Sequence, residues 1–349
     1  MSTNTIDAVR NQNMNSLHYQ KDIGLSELDG FQLPSDVTEE FLDRMQEEIT
    51  ILGMVDTMTM ERLEQEVPQF GVPLLSGSTR DEEGSRTDNS EAESGYVKFD
   101  ATDKKYYILV EPKRDALKNT HYGPDQFGDY IVDEFVARWA NDVGLIGIRA
   151  GASTGDLESY AGSDASDLDD TFTGWIALAE GEDSDSDRIG LEDTDSADVD
   201  EMPSIDMSDE PVDTEMFNDT IQQLDPRYRN TDRVAFLMSP DQVQQYGFDL
   251  TQREDPLGSA VIFGDSDITP FSYDVIGVNG WPNEYAMLTD PNNLAYGLFE
   301  GMELDQTTDT DKVHEERLHS RNWMEGQFDF QIKELQAGVL VENIADPAA

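Results

Sequence analysis

The sequence predicts an α+β protein, because strand patterns arrive in runs instead of alternating with helices as βαβ units. Three observations carry this prediction. A long amphipathic helix pattern covers residues 124–143, a pair of strand patterns precedes it, and a run of short strand patterns follows residue 233. The length of 349 residues indicates about two domains.

The N-terminal part predicts an extended arm followed by a short helix. Residues 1–34 are polar and have no sustained periodicity. Asp36 and Glu39 form a pair typical of a helix N-terminus, and the apolar spacing after them predicts a helix over residues 36–50. Because the sequence contains neither a signal-peptide pattern nor an apolar run of about 18 residues, we expect a soluble chain made in the cytoplasm.

A long hairpin is predicted next. Strand patterns over residues 62–75 and 96–111 flank a stretch of turn-forming and polar residues, 76–95. Because an isolated two-stranded ribbon is marginally stable in water, we expect this excursion to lie on another surface.

The strongest helix pattern follows the hairpin. Pro124 suits the first helical turn, and apolar residues recur every four positions from Phe127. Gly144 suits the position that follows a helix. The pattern therefore predicts a helix from Pro124 to Val143.

An acidic region separates this helix from the rest of the chain. Residues 151–214 contain 21 acidic residues and one basic residue, Arg188. The short apolar segment 172–179 within them predicts one buried strand inside a surface insertion.

The remaining patterns predict two short helices and a series of strands. The helices cover residues 215–224 and 240–246. The strands cover residues 234–238, 260–263, 273–278, 285–288, 294–299, 327–332 and 338–344. Residues 290–293 have the composition of a turn between two of these strands.

The charge of the chain is extreme. With 23 Lys and Arg against 75 Asp and Glu, the net charge is −52. At about 1 M salt the Debye length is about 3 Å, so a carboxylate-rich surface is tolerated there. The 15 Phe, 12 Tyr and 4 Trp supply apolar surface for a core, so we expect a folded protein from a salt-loaded habitat. The alternative is an acidic solvating protein of an ordinary cytoplasm, in which the acid usually lies in one tail.

Patterns that suggest catalysis fail in their context. Residues 151–155 fit the G-x-S-x-G pattern of hydrolases, with His314 and His319 downstream, but no amphipathic helix follows Ser153 as that motif requires. We expect a turn at this place and no enzymatic activity. The sequence has no Cys, which excludes disulfides and thiolate metal sites.

Metal and cofactor patterns are also incomplete. Asp183, Asp185 and Asp187 have the spacing of a calcium loop, but Arg188 and Thr194 replace its glycine and final glutamate. Only loose, exchangeable binding of cations from concentrated salt is compatible with this cluster. The two downstream histidines lack the spacing of a zinc-binding helix. Because neither a glycine-rich phosphate loop nor a net-basic face is present in the sequence, we expect no cofactor and no specific recognition of nucleic acid.

The order of elements resembles the capsid fold of tailed phages, which encapsulins and the herpesvirus capsid floor share. Residues 127–151 resemble the spine helix of the P2-like phage capsid proteins, and Gly174-Trp175 resembles the Gly-Trp pair that follows it. Three further segments resemble the same family: residues 224–238, Ser320-Arg321-Asn322 and residues 336–344. The acidic stretch 180–213 is longer than the family's pattern. No scaffolding domain is evident ahead of the arm, so both separate scaffolding and prior cleavage are open.

The resemblance implies the Hong Kong phage type of α+β capsid fold, in a version from a haloarchaeal virus. The implied parts are an arm and short helix (1–60), an extended loop (61–115), a peripheral domain with the spine helix (116–150 and 305–349) and an axial domain with the acidic insertion (151–304). Hexamers and pentamers of such subunits would form an icosahedral head around double-stranded DNA. Implied partners are portal, scaffolding or cement proteins. An encapsulin-type compartment, or a halophilic hydrolase or surface protein, is the alternative.

Basic residues cluster in one stretch of the chain. Five of the eight lysines lie within 21 residues, and with one arginine they are Lys98, Lys104, Lys105, Lys113, Arg114 and Lys118. Two interpretations are open. Acids nearby in the sequence could satisfy these charges locally, or the basic strand edge docks on an acidic neighbouring subunit. The nearby acids are Asp100, Asp103, Glu111 and Asp115.

Overall fold

The computed structural model describes residues 31–32, 51–71, 93–113, 124–181, 188–189, 201–251, 269–301, 303–307, 310–318 and 320–347. The helices in these residues are α1 (Pro124–Arg149), α2 (Leu157–Ala161), α3 (Ser166–Thr171), α4 (Trp175–Glu180), α5 (Thr214–Gln223), α6 (Pro240–Thr251) and α7 (Asp311–Glu315).

The strands in the described residues are β1 (Phe31–Gln32), β2 (Asp56–Met60), β3 (Glu64–Gly71), β4 (Glu93–Asp100), β5 (Lys105–Val110), β6 (Arg188–Ile189), β7 (Ser204–Glu210), β8 (Ala235–Met238), β9 (Asp274–Gly277), β10 (Ala286–Thr289), β11 (Leu294–Phe299), β12 (Glu303–Thr307), β13 (Arg321–Ile332) and β14 (Gly338–Ile344).

The chain forms two compact units. The first consists of Met1–Glu48, Lys105–Ala140 and Glu300–Gln327, and the second of Ile49–Lys104, Asn141–Phe299 and Phe328–Ala349. Helix α1 and strand β13 therefore each contribute residues to both units.

The first unit contains an antiparallel sheet in which β13 lies between β12 and β5. Glu303 of β12 lies opposite Glu325 of β13, β5 pairs with the other edge of β13, and β1 pairs with β12. Side chains of β13 alternate between buried and partly exposed along this stretch. Tyr106 of β5 meets Trp139 of α1 edge to face, with ring centroids 4.9 Å apart, so the buried face of the sheet packs on the helix.

The second unit is built on a five-stranded sheet in the order β7-β14-β10-β8-β9. Strands β8 and β10 are buried along their whole length. Phe217 of α5 contacts Phe236 of β8 and Tyr246 of α6, with ring centroids 4.7 and 4.9 Å apart. The two helices therefore cover one face of this sheet with an aromatic core.

A second core in this unit surrounds the C-terminal end of α1. Trp175 of α4 meets Phe330 of β13 edge to face, with ring centroids 5.1 Å apart. A Cβ atom added at Gly147 would lie 2.6 Å from Cε1 of Phe330, so only glycine allows this close approach of helix and strand. Strand β11 pairs with this part of β13 and, in parallel, with β2.

The predicted hairpin is present in the second unit. Strands β3 and β4 pair antiparallel from Glu64 opposite Asp100 to Gly71 opposite Glu93. The apolar cluster at its base consists of Met60, Val97, Phe99, Ala101 and Ala295. Strand β6 of the acidic region pairs with β4, with Arg188 opposite Val97.

Two predictions about the region after residue 124 are wrong. Helix α1 continues through Gly144 and Gly147 to Arg149, because each glycine lowers helix stability by only about 1 kcal/mol and tertiary packing outweighs this. Residues 175–180 form helix α4 and not a strand, with Gly181 in the left-handed conformation at its end. Periodicity cannot distinguish a strand from a helix in so short an apolar run.

The strand predicted over residues 96–111 is divided in two. The Asp100 side chain accepts a hydrogen bond from the Thr102 N–H at 3.0 Å, which forms a turn between β4 and β5. As a result β5 pairs with β13 and not with β3. Helix α6 and strand β13 are longer than predicted, whereas α5, β8, β9, β10, β11 and β14 occur close to the predicted positions.

Several predictions lie outside the described residues. They are the arm except for Phe31–Gln32, the helix over 36–50, most of the loop over 76–95, the strand over 260–263, the aspartates at 183, 185 and 187, and His319. Among the described residues, no helix is both long and apolar enough to span a membrane.

Candidate assembly interface

The predicted contact residues begin with Lys98 on β4, at the base of the hairpin. Its ammonium lies 3.5 Å from a carboxylate oxygen of Asp100 and 3.9 Å from one of Glu64 across the strand pair. Asp100 is one of the nearby acids that could satisfy the lysine charges locally. Both pairs are partly exposed, so each contributes little to stability.

Lys104 has a different environment, because its partner is buried. The Nζ atom of Lys104 donates to Oδ1 of Asp329 at 2.6 Å, and the backbone N–H of Asp100 donates to Oδ2 at 2.9 Å. The Asp329 side chain is 1% exposed and that of Lys104 is 22% exposed. Burial raises the pKa of Asp329, and the Lys104 ammonium and backbone N–H groups partly oppose that shift. The pair ties the turn after the hairpin to β13 within the second unit.

Lys105, the next residue, forms an exposed pair in the first unit. Its Nζ atom donates to Oε1 of Glu325 on β13 at 3.0 Å, with side-chain exposures of 58% and 27%. The hydrogen bond to Glu325 and the charge of that carboxylate raise the pKa of Lys105. Adjacent lysines thus have different partners: Lys104 pairs with a carboxylate that is 1% exposed, and Lys105 with one that is 27% exposed.

Of the other predicted contact residues, only Lys113 is described. It is exposed and forms a single antiparallel bridge with Leu318. Arg114 and Lys118 lie outside the described residues. Glu111, one of the expected local acids, contacts Arg321 at 2.9 Å and Lys312 at 3.4 Å.

The sequence reasoning missed Asp329 and Glu325 as partners. Asp329 stands between Phe328 and Phe330 in the predicted strand 327–332, in which polar and apolar residues alternate. Because successive side chains of a strand point to opposite faces, Asp329 belongs to the polar face of this pattern with Gln327 and Gln331, so the sequence gives no sign that its carboxylate is buried and needs a cation. Which lysine supplies it could not be seen, because Lys104 is 225 residues away.

The G-x-S-x-G segment forms a turn, as expected. It connects α1 to α2, so Ser153 follows a helix instead of the strand that precedes a hydrolase nucleophile. The Ser153 N–H donates to Glu180 at 2.9 Å, and the other oxygen of Glu180 accepts from the Tyr285 hydroxyl at 2.6 Å. Burial and this hydrogen bond raise the pKa of Tyr285. His314 belongs to α7 of the first unit.

Comparison with known proteins identifies the fold. The sequence matches no protein-family model, and no curated protein is significantly similar to it. A chain of the satellite phage P4 procapsid, which includes the size determination (Sid) protein, has 14% identity and a TM-score of 0.62, over 99% of this chain and 98% of that chain.

Two further solved structures are similar. A chain of the cyanophage A-1(L) capsid has 12% identity and a TM-score of 0.57, over 85% of this chain and 92% of that chain. A chain of the native GTA particle capsid has 11% identity and a TM-score of 0.52, over 84% and 89%. The chain therefore has the α+β fold of tailed-phage major capsid proteins, the Hong Kong phage type.

Proposed function

We propose that the chain is the major capsid protein of a tailed double-stranded-DNA virus whose host is an extreme halophile. It is a structural subunit and not an enzyme, and it assembles as hexamers and pentamers into an icosahedral head around the viral DNA. The observation that carries this proposal is the fold likeness to a phage procapsid chain over nearly the full length of both chains. A shell can enclose DNA mechanically, so a net charge of −52 is compatible with this role.

The parts of the subunit follow from this proposal. Residues 1–60 form an arm and short helix, 61–115 the extended loop, 116–150 and 305–349 the peripheral domain, and 151–304 the axial domain with its acidic insertion. The hairpin β3–β4 lies across a neighbouring subunit. Its support is physical. Eight residue pairs extend from a small apolar base, the two-residue strand β6 pairs only with Tyr96 and Val97 of β4, and the two-stranded remainder is marginally stable alone.

We propose a subunit contact that involves fewer of the basic residues than the sequence analysis predicted. Lys98, Lys104 and Lys105 each have an acidic partner in the same chain. An exposed pair such as that of Lys105 can still exchange its partner for an acid of another subunit. The proposal therefore rests on Lys105, Lys113, Arg114 and Lys118.

The proposed setting is the virion. The subunit assembles in the host cytoplasm with portal, scaffolding or cement proteins and without a membrane. The acidic surface suits a host with concentrated intracellular salt, since a Debye length of about 3 Å suppresses repulsion between subunits.

The direct test is assembly of the purified chain at molar NaCl, observed by electron microscopy and analytical sedimentation. We expect closed shells built from rings of five and six. A chain that stays monomeric over a wide range of concentration and salt would refute the proposal. Particles from the native source should contain DNA, whereas a protein cargo would indicate an encapsulin-type compartment.

A variant with a shortened hairpin tests the role of β3 and β4 in assembly. Replacing residues 68–96 with an Asn-Gly turn joins Val67 to Val97, which are already opposite each other, and keeps the apolar base. We expect this subunit to fold with a nearly unchanged circular-dichroism spectrum and to form no stable shells. Normal shells from this variant would show that the hairpin does not hold neighbouring subunits.

A further inference from the structure

Four large apolar side chains are strongly exposed in the part of the chain that the structure describes: Tyr107, Tyr160, Phe248 and Phe271. Three of them have partners within the chain. Tyr107 stacks on Trp323 with ring centroids 4.5 Å apart, Tyr160 covers the Arg149 guanidinium at 4.4 Å, and Phe248 takes part in a further intrachain interaction. Phe271, which is 52% exposed, has no ring or cation partner among the described residues.

The backbone at Phe271 is also unusual. The Tyr273 N–H donates to the Pro270 carbonyl at 3.0 Å, which closes a four-residue turn around Phe271 and Ser272. Both central residues have positive φ, 53° and 71°. Positive φ at both central positions defines a type I′ turn, in which glycine, asparagine and aspartate predominate. A bulky aromatic residue at this position is an outlier.

The surrounding structure holds the turn in this conformation. Tyr273 is buried, and its ring meets Phe236 of the central sheet edge to face at 6.4 Å. The ring of the preceding Phe271 does not share this burial. Strained backbone that leaves an aromatic ring about half exposed brings only limited packing within the subunit, which indicates a role outside it.

A contact between copies of this chain has a particular need for apolar residues. Each copy carries a charge of −52, so net Coulomb forces between copies are repulsive. Concentrated salt screens that repulsion, and excluded salts strengthen the association of apolar groups. Aromatic residues are enriched at such contacts because they bury a large area with little loss of conformational entropy.

We infer that Phe271 is an apolar contact residue that packs against a second copy of this chain. This inference rests on the proposed function and adds a specific residue to it. The strained turn presents the ring to the neighbouring copy, and burial of the ring there stabilises the assembly.

The test uses the full-length chain at molar NaCl with the variants Phe271→Gly, Phe271→Asn and Phe271→Tyr. Glycine and asparagine suit the turn and remove the ring, so the dispersed subunits should melt about 2 °C or more above the wild type. Their assembly should require at least about tenfold higher subunit concentration, as measured by sedimentation. Phe271→Tyr keeps the ring and should assemble like the wild type.

The outcomes separate this inference from the proposed function. If the wild type and Phe271→Gly form shells at the same concentration, the contact is refuted and the capsid proposal stands. If Phe271→Gly lowers the melting temperature or fails to fold, the ring stabilises its own subunit and the inference is wrong. If the wild type itself never assembles, the capsid proposal fails, and the contact with it.

Discussion

The buried pair between Lys104 and Asp329 gives the sharpest prediction for subunit stability. Replacing Lys104 with Met keeps the length and apolar stem of the side chain but removes the ammonium that lies 2.6 Å from the carboxylate. Asp329 would then keep only backbone N–H donors. Removing one partner of a buried ion pair costs about 3–5 kcal/mol, and partial exposure of Lys104 places the expected loss near the lower end, about 3 kcal/mol.

The neighbouring lysine supplies a matched control. Lys105→Met removes the same charge one residue later, where both partners are exposed to solvent. Because exposed pairs contribute about 0.2–1 kcal/mol at most, and less in concentrated salt, its free energy of unfolding should change by less than about 0.5 kcal/mol. Urea unfolding of dispersed subunits at constant molar NaCl measures both values. If the two variants lost the same free energy of unfolding, burial of Asp329 would not determine the cost of removing its partner.

The pH dependence of the Lys104→Met effect has a definite sign. Burial already raises the pKa of Asp329, so its ionisation makes the folded state less stable as the pH rises through that pKa. Without the ammonium the pKa should rise further. The loss of stability should therefore be largest at neutral pH and shrink in acid, where the carboxyl is protonated. With Asp329→Asn in the background, Lys104→Met should cost about 1 kcal/mol or less at any pH.

Three further predictions concern salt, packing and docking. Shells should loosen when NaCl falls from molar to about 0.1 M, where the Debye length is about 10 Å; shells that keep their light scattering after long dialysis without divalent cations would contradict this. Gly147→Ala should destabilise the subunit by about 1–3 kcal/mol because its Cβ meets Phe330, whereas Gly277→Ala, whose Cβ would be no closer than 3.4 Å to Pro240, should be nearly neutral in the same urea assay. Lys105→Glu combined with Lys113→Glu should block assembly and leave the circular-dichroism spectrum at high salt unchanged, and a normal shell yield would remove the docking proposal.

The sequence predicted those elements whose pattern is local and unambiguous. Strand β14 was predicted with its observed bounds, Gly338–Ile344, in which the apolar residues 339–341 follow a glycine and Ile344 follows two polar residues. Helix α5 was predicted within one residue, since its apolar positions follow a helical period. The structure adds that the Asp213 side chain caps its first turn.

The failures arise where long-range packing decides the conformation. Gly144 and Gly147 both look like helix breakers in the sequence, but α1 passes through them, and the second one makes room for Phe330. The segment around Trp175 is too short to show a period, and in the structure it is a helix between two glycines in which nearly every side chain is buried. Local propensity cannot predict either result, because the deciding contacts come from residues more than 100 positions away.

The intrachain ion pairs give a different physical reason for the presence of several lysines in one segment of so acidic a chain. Dissolved cations can screen an exposed carboxylate such as Glu325, but they cannot reach Asp329, which is 1% exposed. That carboxylate needs a covalently attached cation, so the fold requires Lys104 whether or not a neighbouring subunit is present. A Lys104 variant would therefore lose stability before any effect on docking could be measured. For this reason the assembly test must use Lys105 and Lys113, whose replacement leaves the buried pair intact.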